Sequence, residues 1–461
     1  MQTSLIHLTL NNIIRPFPDG RISVKGSIMD INYKNIKPYN TAKKPLRQSC
    51  IFTGLMYGLS RFTIPTKFEI EKIGMKGIKP PYILLSNHMH FVDFKLNAVA
   101  TFPHKTYNVA TIDGYYRRPL IMELIGCICK RKFTNDMYLL ESIDTVLKKY
   151  KGVLSMYPEA RYSPVGTTAI LPDSLGMLVK KQGVPVVTLI HHGNYLHTPF
   201  WNYRAPRKVK LHTTMKLILT PEQLEKMSYQ EINEVLCREM GYNEYDYQLQ
   251  TQQHITDADR AEGLHKVLYQ CPHCNTESKM STKGSTLRCE ACGKEWELTT
   301  LGRLEAKDGN TEFATPPEWY EWQRANVRAQ IEAGEYSFED EVDVYSLPHP
   351  KEFEDLGKAR LTHDPKNGFV LTGTYNGEEY TIQRKPLGMY GVHIEYDYCY
   401  IRQADCIDIS TDNDSFYCYP TKENVVTKLS LATEEIYKFH QEARMARKRE
   451  KMRSAECGMR N

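Results

Sequence analysis

Four cysteines in two Cys-x-x-Cys pairs restrict how this chain can fold more than any other feature. Cys271 and Cys274 form the first pair, Cys289 and Cys292 form the second, and 14 residues separate the pairs. Two thiolate pairs on tight turns can complete a tetrahedron around Zn²⁺. The spacing therefore predicts a structural zinc ribbon over about 265–300. A site closed by four sulfurs has no open position for catalysis at the metal.

The other eight cysteines are scattered, without the regular spacing of a disulfide framework. Residues 1–18 also lack the basic and apolar segments of a secretory signal. In a long chain, this combination indicates a reducing compartment, so we expect a cytoplasmic protein. Hydrophobic residues make up 41% of the chain, a share that excludes a wholly disordered protein. The mean hydropathy of −0.51 argues against a polytopic membrane protein.

The formal net charge of +5 hides a strong asymmetry along the chain. Residues 1–210 carry 30 Lys and Arg against 12 Asp and Glu, whereas residues 211–440 carry 23 against 40. A basic half indicates contact with anions such as phosphate, nucleic acid or an anionic membrane; differently charged solvated surfaces are the alternative. Because residues 251–300 hold 6 basic and 7 acidic residues, no nucleic-acid role is assigned to the ribbon.

Short apolar runs in the first half predict an α/β domain. Tyr82–Leu85, Val153–Tyr157 and Val184–Ile190 have the pattern of strands that are buried on both faces. Between the first two runs, the apolar residues of Tyr138–Tyr150 follow helical spacing. Strands that alternate with helices favour a three-layer α/β architecture, which we assign to residues 1–245.

The second half of the chain predicts a different set of secondary-structure elements. Pro317–Ala333 is predicted to be a helix, and residues 335–430 are β-rich. Asn376-Gly377 between two strand-like runs predicts a type I′ hairpin. A last helix is expected from Thr433 onward. The predicted units are thus a linker at 246–264, the ribbon at 265–300, a helical linker at 301–334, and a β-rich domain at 335–461 that ends in a basic helix and is PH-like in the order of its elements.

Asn87, His88 and Asp93 come directly after the run that ends at Leu85. On a strand-to-loop-to-helix transition, Asp93 can fold back to hold the His88 imidazole. The other ring nitrogen can then remove a proton from a substrate hydroxyl. The alternative is a chance pair on a solvated loop.

A second polar cluster follows the run that ends at Tyr157. Pro158 ends the strand, and Glu159 and Arg161 lie just beyond it. Ligands bind at the ends of strands in open α/β sheets. An arginine there can hold a phosphate with two hydrogen bonds, and a glutamate can hold a hydroxyl or position the arginine.

At these residues the sequence resembles the glycerolipid acyltransferases, that is, the 1-acyl-glycerol-3-phosphate acyltransferase family of the PlsC type. Asn87–Asp93 matches the family's Asn-His-x-x-x-x-Asp block, and Tyr157–Glu159 matches the start of its Phe-Pro-Glu-Gly-Thr-Arg-Ser block. Gly126–Lys132 and Gly183–Val187 are similar to the other two blocks. All four stand in family order over about 45–205, and with the ribbon and the β-rich tail the chain resembles a bacterial subgroup of these enzymes.

The resemblance implies an acyl transfer in phospholipid biosynthesis. His88 would activate the acceptor hydroxyl and Asp93 would orient His88. The hydroxyl would then attack the thioester of acyl-CoA or of an acyl-carrier protein. The expected acceptor is 1-acyl-glycerol-3-phosphate, a lysophospholipid. The implied acceptor contacts are Asn87, Glu159, Arg161, and Arg131 or Lys132.

The chain departs from the family pattern in the second block. Ala160 stands at the family's Gly, Arg161 at its Thr and Tyr162 at its Arg, and His90 replaces a Ser of the first block. These departures keep an alternative open, in which the protein is a non-catalytic zinc-ribbon and PH-like adaptor with a degenerate acyltransferase domain. The intact pair of His88 and Asp93 argues against it.

Gln48–Ser60 is a short apolar segment between Arg47 and Arg61. It is too short to span a bilayer and could lie in a membrane interface; a helix packed on the core is the alternative. The basic residues of the first half would add attraction to an anionic membrane surface. We therefore expect a peripheral protein on the inner face of the membrane.

Overall fold

The computed structural model describes residues 31, 33, 36–134, 136–202 and 205–458, without the side chains of 448 and 451–458. The segment 1–18, on which the expectation about a secretory signal rests, lies outside the described residues. Among the described residues, every helix is either too short or too polar to cross a bilayer.

The first half of the chain forms a seven-stranded mixed sheet in the order β1-β7-β6-β2-β5-β3-β4. Neighbouring strands run parallel, except for the antiparallel pair β6 and β7. Every residue of β2 and β5 is buried, which confirms the strands predicted at these two runs. The strands are β1 (Phe68–Ile73), β2 (Tyr82–Ser86), β3 (Thr106–Thr111), β4 (Cys127–Lys130), β5 (Val153–Met156), β6 (Val186–His192) and β7 (Leu211–Leu219).

Helices cover both faces of this sheet. Ile83 of β2 belongs to an apolar cluster with Ile143 and Val179, whereas its neighbour Leu84 packs on the other face with Ala100. A π-helical segment, Thr145–Tyr150, completes the helix predicted from the apolar spacing. The helices are α1 (Cys50–Thr63), α2 (Val92–Thr101), α3 (Pro119–Leu124), α4 (Met137–Asp144), α5 (Ser174–Gln182), α6 (Asn194–His197), α7 (Pro221–Lys226), α8 (Tyr229–Met240) and α9 (Glu244–Thr251).

Two further sheets follow. The four-stranded sheet has the order β11-β10-β9-β8, and the antiparallel seven-stranded sheet has the order β15-β14-β13-β12-β18-β17-β16. Asn376 and Gly377 both have positive φ between β14 and β15, which confirms the predicted hairpin turn. The elements are β8 (Met280–Lys283), β9 (Thr286–Cys289), β10 (Glu295–Leu298), β11 (Leu304–Ala306), α10 (Pro316–Glu332), β12 (Phe338–Ser346), β13 (Glu354–Asp364), β14 (Gly368–Tyr375), β15 (Glu378–Arg384), β16 (His393–Tyr398), β17 (Ala404–Ser410), β18 (Ser415–Pro420) and α11 (Val426–Gly458).

One apolar core joins all three parts of the molecule. It includes Met89 beside the His88 loop, Trp296 of the four-cysteine unit and Val342 of the last sheet. The ring of Phe200, which follows β6, also lies 5.2 Å from the ring of Tyr396 in β16. The last sheet and α11, which we call the C-terminal module (residues 338–458), therefore pack against the end of the first sheet where β2, β5 and β6 stop.

Candidate active site and metal centre

The polar residues of the candidate site gather at the carboxyl ends of three neighbouring strands. β2 lies between β5 and β6 in the sheet, and all three run parallel. His88 follows β2, Glu159 follows β5 and Asn194 follows β6. Parallel strands that end at one edge bring side chains from distant parts of the sequence into a single site.

The carboxylate of Asp93 is the group on which most hydrogen bonds of this site converge. It lies in the first turn of α2, and one carboxylate oxygen accepts hydrogen bonds from His88 Nδ1 at 3.1 Å, Met89 N at 2.6 Å and His90 N at 3.0 Å. The other oxygen accepts a hydrogen bond from Asn194 Nδ2 at 2.6 Å. Burial alone would raise the pKa of Asp93, but the bonds from His88 and Asn194 and the nearby His191 lower it below its usual value. Asp93 is therefore a carboxylate near neutral pH.

The carboxylate determines which nitrogen of His88 can act. A carboxylate only accepts hydrogen bonds, so His88 Nδ1 carries the proton and Nε2 carries the lone pair. The imidazole is stacked on Tyr157 with ring centroids 3.9 Å apart, and Tyr162 lies 4.2 Å away. Its side chain keeps 18% of its surface exposed, whereas Asp93 keeps none. The arrangement presents one basic nitrogen on a ring that is fixed from two sides.

Glu159 supports the His88 loop from the neighbouring strand. One of its oxygens accepts a hydrogen bond from His88 N at 3.3 Å, and the other accepts one from Ala169 N at 2.8 Å. Burial raises the pKa of Glu159 to about 7 despite these two bonds. The turn that delivers Glu159 runs through Ala160, which has φ = +56°, a region that favours glycine. Both carboxylate oxygens of Glu159 thus accept hydrogen bonds from backbone amides.

The side-chain amide of Asn87 also forms its hydrogen bonds with the protein backbone. Its amide nitrogen donates to His191 O at 3.0 Å, and its amide oxygen accepts from His191 N at 2.8 Å. These two bonds tie the loop after β2 to the carboxyl end of β6. Asn87 is fully buried, so in this structure its side chain positions the His88 loop.

The three basic residues assigned to an acceptor phosphate point into the C-terminal module. Arg131 donates to Leu347 O and Pro348 O, both at 3.0 Å, and to Ser415 Oγ at 3.1 Å. Lys132 forms ion pairs with Asp113 at 2.8 Å and with Asp408 at 3.1 Å. Arg161 pairs with Glu434 and donates to Ser430 Oγ at 2.8 Å. All three are at most 6% exposed, and the structure does not bring their cationic groups to His88.

Sequence reasoning missed two residues of this site, Asn194 and Tyr162. Asn194 lies 101 positions after Asp93, yet it forms one of the two shortest bonds to that carboxylate. The signal was its place after the Gly193 turn at the end of β6, where strand ends collect polar groups. Tyr162 was noted only as a departure from the family pattern, but its ring contacts His88.

The four cysteines lie together at the edge of the small sheet. Their Sγ atoms are all within 4.8 Å of one another. Cys271 and Cys292 are separated by 3.8 Å between sulfurs, and Cys274 and Cys289 by 3.7 Å. Zn–S bonds of about 2.3 Å in a tetrahedron require sulfurs about 3.8 Å apart. The set can therefore hold one Zn²⁺ with four thiolates, without ligands from elsewhere in the described chain.

Known proteins similar to this chain are found among solved structures. No protein-family model matches the sequence, and no curated protein matches it. The crystal structure of the 1-acyl-sn-glycerophosphate acyltransferase PlsC from Thermotoga maritima is similar to this chain at 17% identity, over 41% of this chain and 78% of that chain. Its TM-score is 0.34, which is too low to establish a shared fold.

Proposed function

We propose that the protein is an acyltransferase that moves a fatty acyl group from a thioester to a lipid hydroxyl. The observation that carries the proposal is the contact between Asp93 and His88 Nδ1, because it leaves Nε2 as the basic nitrogen. The acceptor hydroxyl attacks the thioester carbonyl carbon while its proton passes to His88 Nε2. The tetrahedral intermediate then collapses, the C–S bond breaks, and the departing thiolate takes the proton back.

The surrounding residues support this role by holding His88 in place. Asp93 stabilises the positive charge that develops on the imidazole, and Asn194 and two backbone amides hold Asp93. Tyr157 and Glu159 restrict the ring and its backbone. The donor is acyl-CoA or an acyl-carrier protein, and 1-acyl-glycerol-3-phosphate is the first acceptor to test.

We also propose that the enzyme works at the inner face of a membrane. Helix α1, which begins within the apolar segment predicted at Gln48–Ser60, exposes four large apolar side chains along one stripe. Their exposed fractions are 80% for Ile51, 60% for Leu55, 58% for Leu59 and 88% for Phe62. A stripe of this kind would enter the boundary between headgroups and acyl chains and deliver a lipid to the site.

Two accessory roles belong to this proposal. The four cysteines would bind a structural Zn²⁺ in the ribbon at 265–300. The module from 335 onward keeps the strand-then-helix order of a PH-like domain. Both would brace the acyltransferase unit at 1–245, with the linkers at 246–264 and 301–334 between them.

A second candidate function is a non-catalytic adaptor. It is favoured by the contacts that hold Arg161 and Lys132 inside the C-terminal module, because they remove two cations from the expected acceptor site. This candidate predicts membrane or protein binding without thioester turnover.

One experiment separates the two candidates. Purified full-length protein is offered acyl-CoA or acyl-carrier protein with a panel of lysolipids in vesicles, and thiol release and acylated product are measured. His88→Ala should abolish both signals, whereas His254→Ala, a change of an exposed histidine, should keep them. Turnover that survives in His88→Ala, or that is absent with every acceptor, contradicts the acyltransferase proposal.

A further inference from the structure

A buried polar cluster lies where the first sheet meets the C-terminal module. We call it the interface cluster, and it consists of Asp113, Lys132, His393, Glu395, Tyr398, Asp408 and Tyr417. Lys132 links the two sides, because its ammonium pairs with Asp113 at 2.8 Å and with Asp408 at 3.1 Å. His393 Nε2 pairs with Glu395 at 2.8 Å. The rings of Tyr398 and Tyr417 are stacked, with centroids 5.4 Å apart.

Several polar atoms of the interface cluster lack partners. Among the described residues, nothing forms a hydrogen bond with the hydroxyls of Tyr398 and Tyr417 or with Nδ1 of His393. These three residues are 5%, 0% and 3% exposed, so bulk water does not solvate them freely. A buried polar group without a partner costs about 1–3 kcal/mol. Three such atoms beside one ion cluster can each form a hydrogen bond with a bound polar group.

Two aromatic rings connect the proposed catalytic base to the interface cluster. Tyr162 is the first, since its ring is 4.2 Å from the ring of His88 and 5.7 Å from the ring of Phe200. Phe200 in turn contacts His393 at 6.4 Å between ring centroids. Burial raises the pKa of Tyr162 well above its usual value, and the nearby Glu395, Asp93 and Asp113 raise it further. A lipid whose reacting hydroxyl is at His88 would thus extend its head group toward the interface cluster.

The charge of the interface cluster is unsuited to a phosphate. Three carboxylates, Asp113, Glu395 and Asp408, accompany the single cation Lys132, which already pairs with two of them. Arg131 is close to Asp408; its two terminal nitrogens donate to two backbone carbonyls and Ser415, and its Nε has no partner among the described residues. A dianionic phosphate monoester at this place would face three carboxylates, and both nearby cations already have other partners.

We propose that the interface cluster selects the acceptor, and that it takes a head group rich in hydrogen-bond donors, hydroxyl or ammonium, in preference to a phosphate monoester. The inference rests on the proposed acyl transfer and names its acceptor class. Carboxylates accept hydrogen bonds from such donors, and the phenols of Tyr398 and Tyr417 can donate or accept. The C-terminal module is then part of the substrate site, because it supplies Glu395, Asp408 and both tyrosines.

The test compares acceptors and variants in the full-length protein. The acceptors are 1-acyl-glycerol-3-phosphate, a monoacyl glycosylglycerol as the hydroxyl arm and 1-acyl-glycerol-3-phosphoethanolamine as the ammonium arm. The variants are Tyr417→Phe and Glu395→Gln, with Glu378→Gln on the exposed hairpin as the control. Tyr417→Phe keeps the packed ring and removes a hydroxyl that has no partner, so the variant should fold as stably as the wild type.

We expect one of the two donor-rich acceptors to exceed the phosphate monoester at least tenfold in kcat/KM. Tyr417→Phe and Glu395→Gln should each raise the KM of that acceptor about tenfold, while Glu378→Gln leaves it unchanged. The proposal is overturned if the phosphate monoester is the best acceptor or if both variants keep the wild-type KM. If no acceptor gives His88-dependent thiol release, the acyltransferase function itself fails, and the acceptor class fails with it.

Discussion

Arg161 and Glu434 form a buried ion pair that connects the loop after β5 to helix α11. The guanidinium also donates to Ser430 Oγ, and the Glu434 carboxylate also pairs with Arg324 of α10. The nearby Arg161 and Arg324 hold the pKa of Glu434 below its usual value, although burial opposes this. Three distant segments of the chain are therefore joined two residues away from Glu159, which itself bonds the His88 backbone.

Removing the charge of Glu434 should destabilise the fold. In Glu434→Gln, the buried guanidinium of Arg161 loses its carboxylate and the half-buried Arg324 loses one of its three, and breaking a buried pair in this way costs about 3–5 kcal/mol. Urea unfolding would measure the change. The control Glu332→Gln breaks a pair between Arg328 and an exposed carboxylate, and should change the free energy of unfolding by less than about 1 kcal/mol. Equal effects in the two variants would show that the Arg161 contact does not stabilise the fold.

Asp93→Asn should lower kcat by about 10²–10⁴ with little change in the KM of the acyl donor. The amide no longer stabilises the charge that develops on His88 during proton transfer. The measurement is steady-state thiol release. Asp259→Asn, a change of an exposed carboxylate, should retain activity within about twofold. A kcat near the wild-type value for Asp93→Asn would exclude His88 and Asp93 as an acid–base pair.

Glu159 should make the stability pH-dependent. Its pKa of about 7 is above the ordinary 4.5, so the folded protein holds this proton more tightly than the unfolded chain does. The contribution of Glu159 to the free energy of unfolding therefore falls as pH rises from about 4.5 to about 7. Because Glu159→Gln does not titrate, its free energy of unfolding should rise relative to the wild type across that window, by up to about 3 kcal/mol.

Urea unfolding at pH 4.5, 6 and 8 would follow this difference. Glu379→Gln, on the exposed hairpin, serves as the control and should differ from the wild type by a constant amount. A pH-independent difference for Glu159→Gln would mean that the Glu159 carboxyl titrates normally in the folded protein.

The four-cysteine unit should carry one Zn²⁺ per chain, as measured by elemental analysis of the purified protein. Cys274→Ser should lose the metal and lower the melting temperature, because the site closes the turns before β8 and before β10. Cys237→Ser replaces an exposed cysteine outside the quartet and should keep the full zinc content. Wild-type protein that contains no zinc, and whose melting temperature is insensitive to a chelator, would refute a structural metal.

The apolar stripe of α1 should mediate binding to vesicles that contain an anionic phospholipid. The double change Leu55→Gln and Phe62→Gln should weaken binding at least about tenfold, since burial of each side chain contributes about 1.5–3 kcal/mol. Leu387→Gln changes an apolar residue of the C-terminal module that is 45% exposed, and should bind as the wild type does. If the double variant co-sediments with vesicles as the wild type does, α1 does not mediate membrane binding.

Features set by neighbours in the sequence were predictable. The strands around Tyr82–Leu85 and Val153–Tyr157 and the Asn376-Gly377 turn follow from patterns over a few residues, and the structure confirms them. The contact between His88 and Asp93 spans five positions, and the alternation of strands and helices placed it at the end of β2. Local spacing also sufficed to group the four cysteines, because each pair lies on one turn.

The partners of the basic side chains were decided by the tertiary structure. Arg131 bonds to Leu347, 216 positions away, and Arg161 bonds to Ser430, 269 positions away. The sequence predicts that Lys132 and Arg161 contact an anionic acceptor. In the structure Lys132 pairs with Asp113 of its own half and with Asp408 of the other half, and Arg161 pairs with Glu434 of the other half. An ion pair between segments so far apart leaves no periodic trace in either segment.

By itself, the sequence determined the local chemistry: one His–Asp pair, one thiolate quartet and the strands that support them. Only the tertiary structure decided what surrounds that chemistry, because the packing of the C-terminal module onto the ends of β2, β5 and β6 is a long-range event. The same packing directs three cations into ion pairs and hydrogen bonds of the C-terminal module and brings Glu395 near Tyr162. A charge pattern along a chain shows which groups are present, and burial and pairing in the fold decide which of them face a substrate.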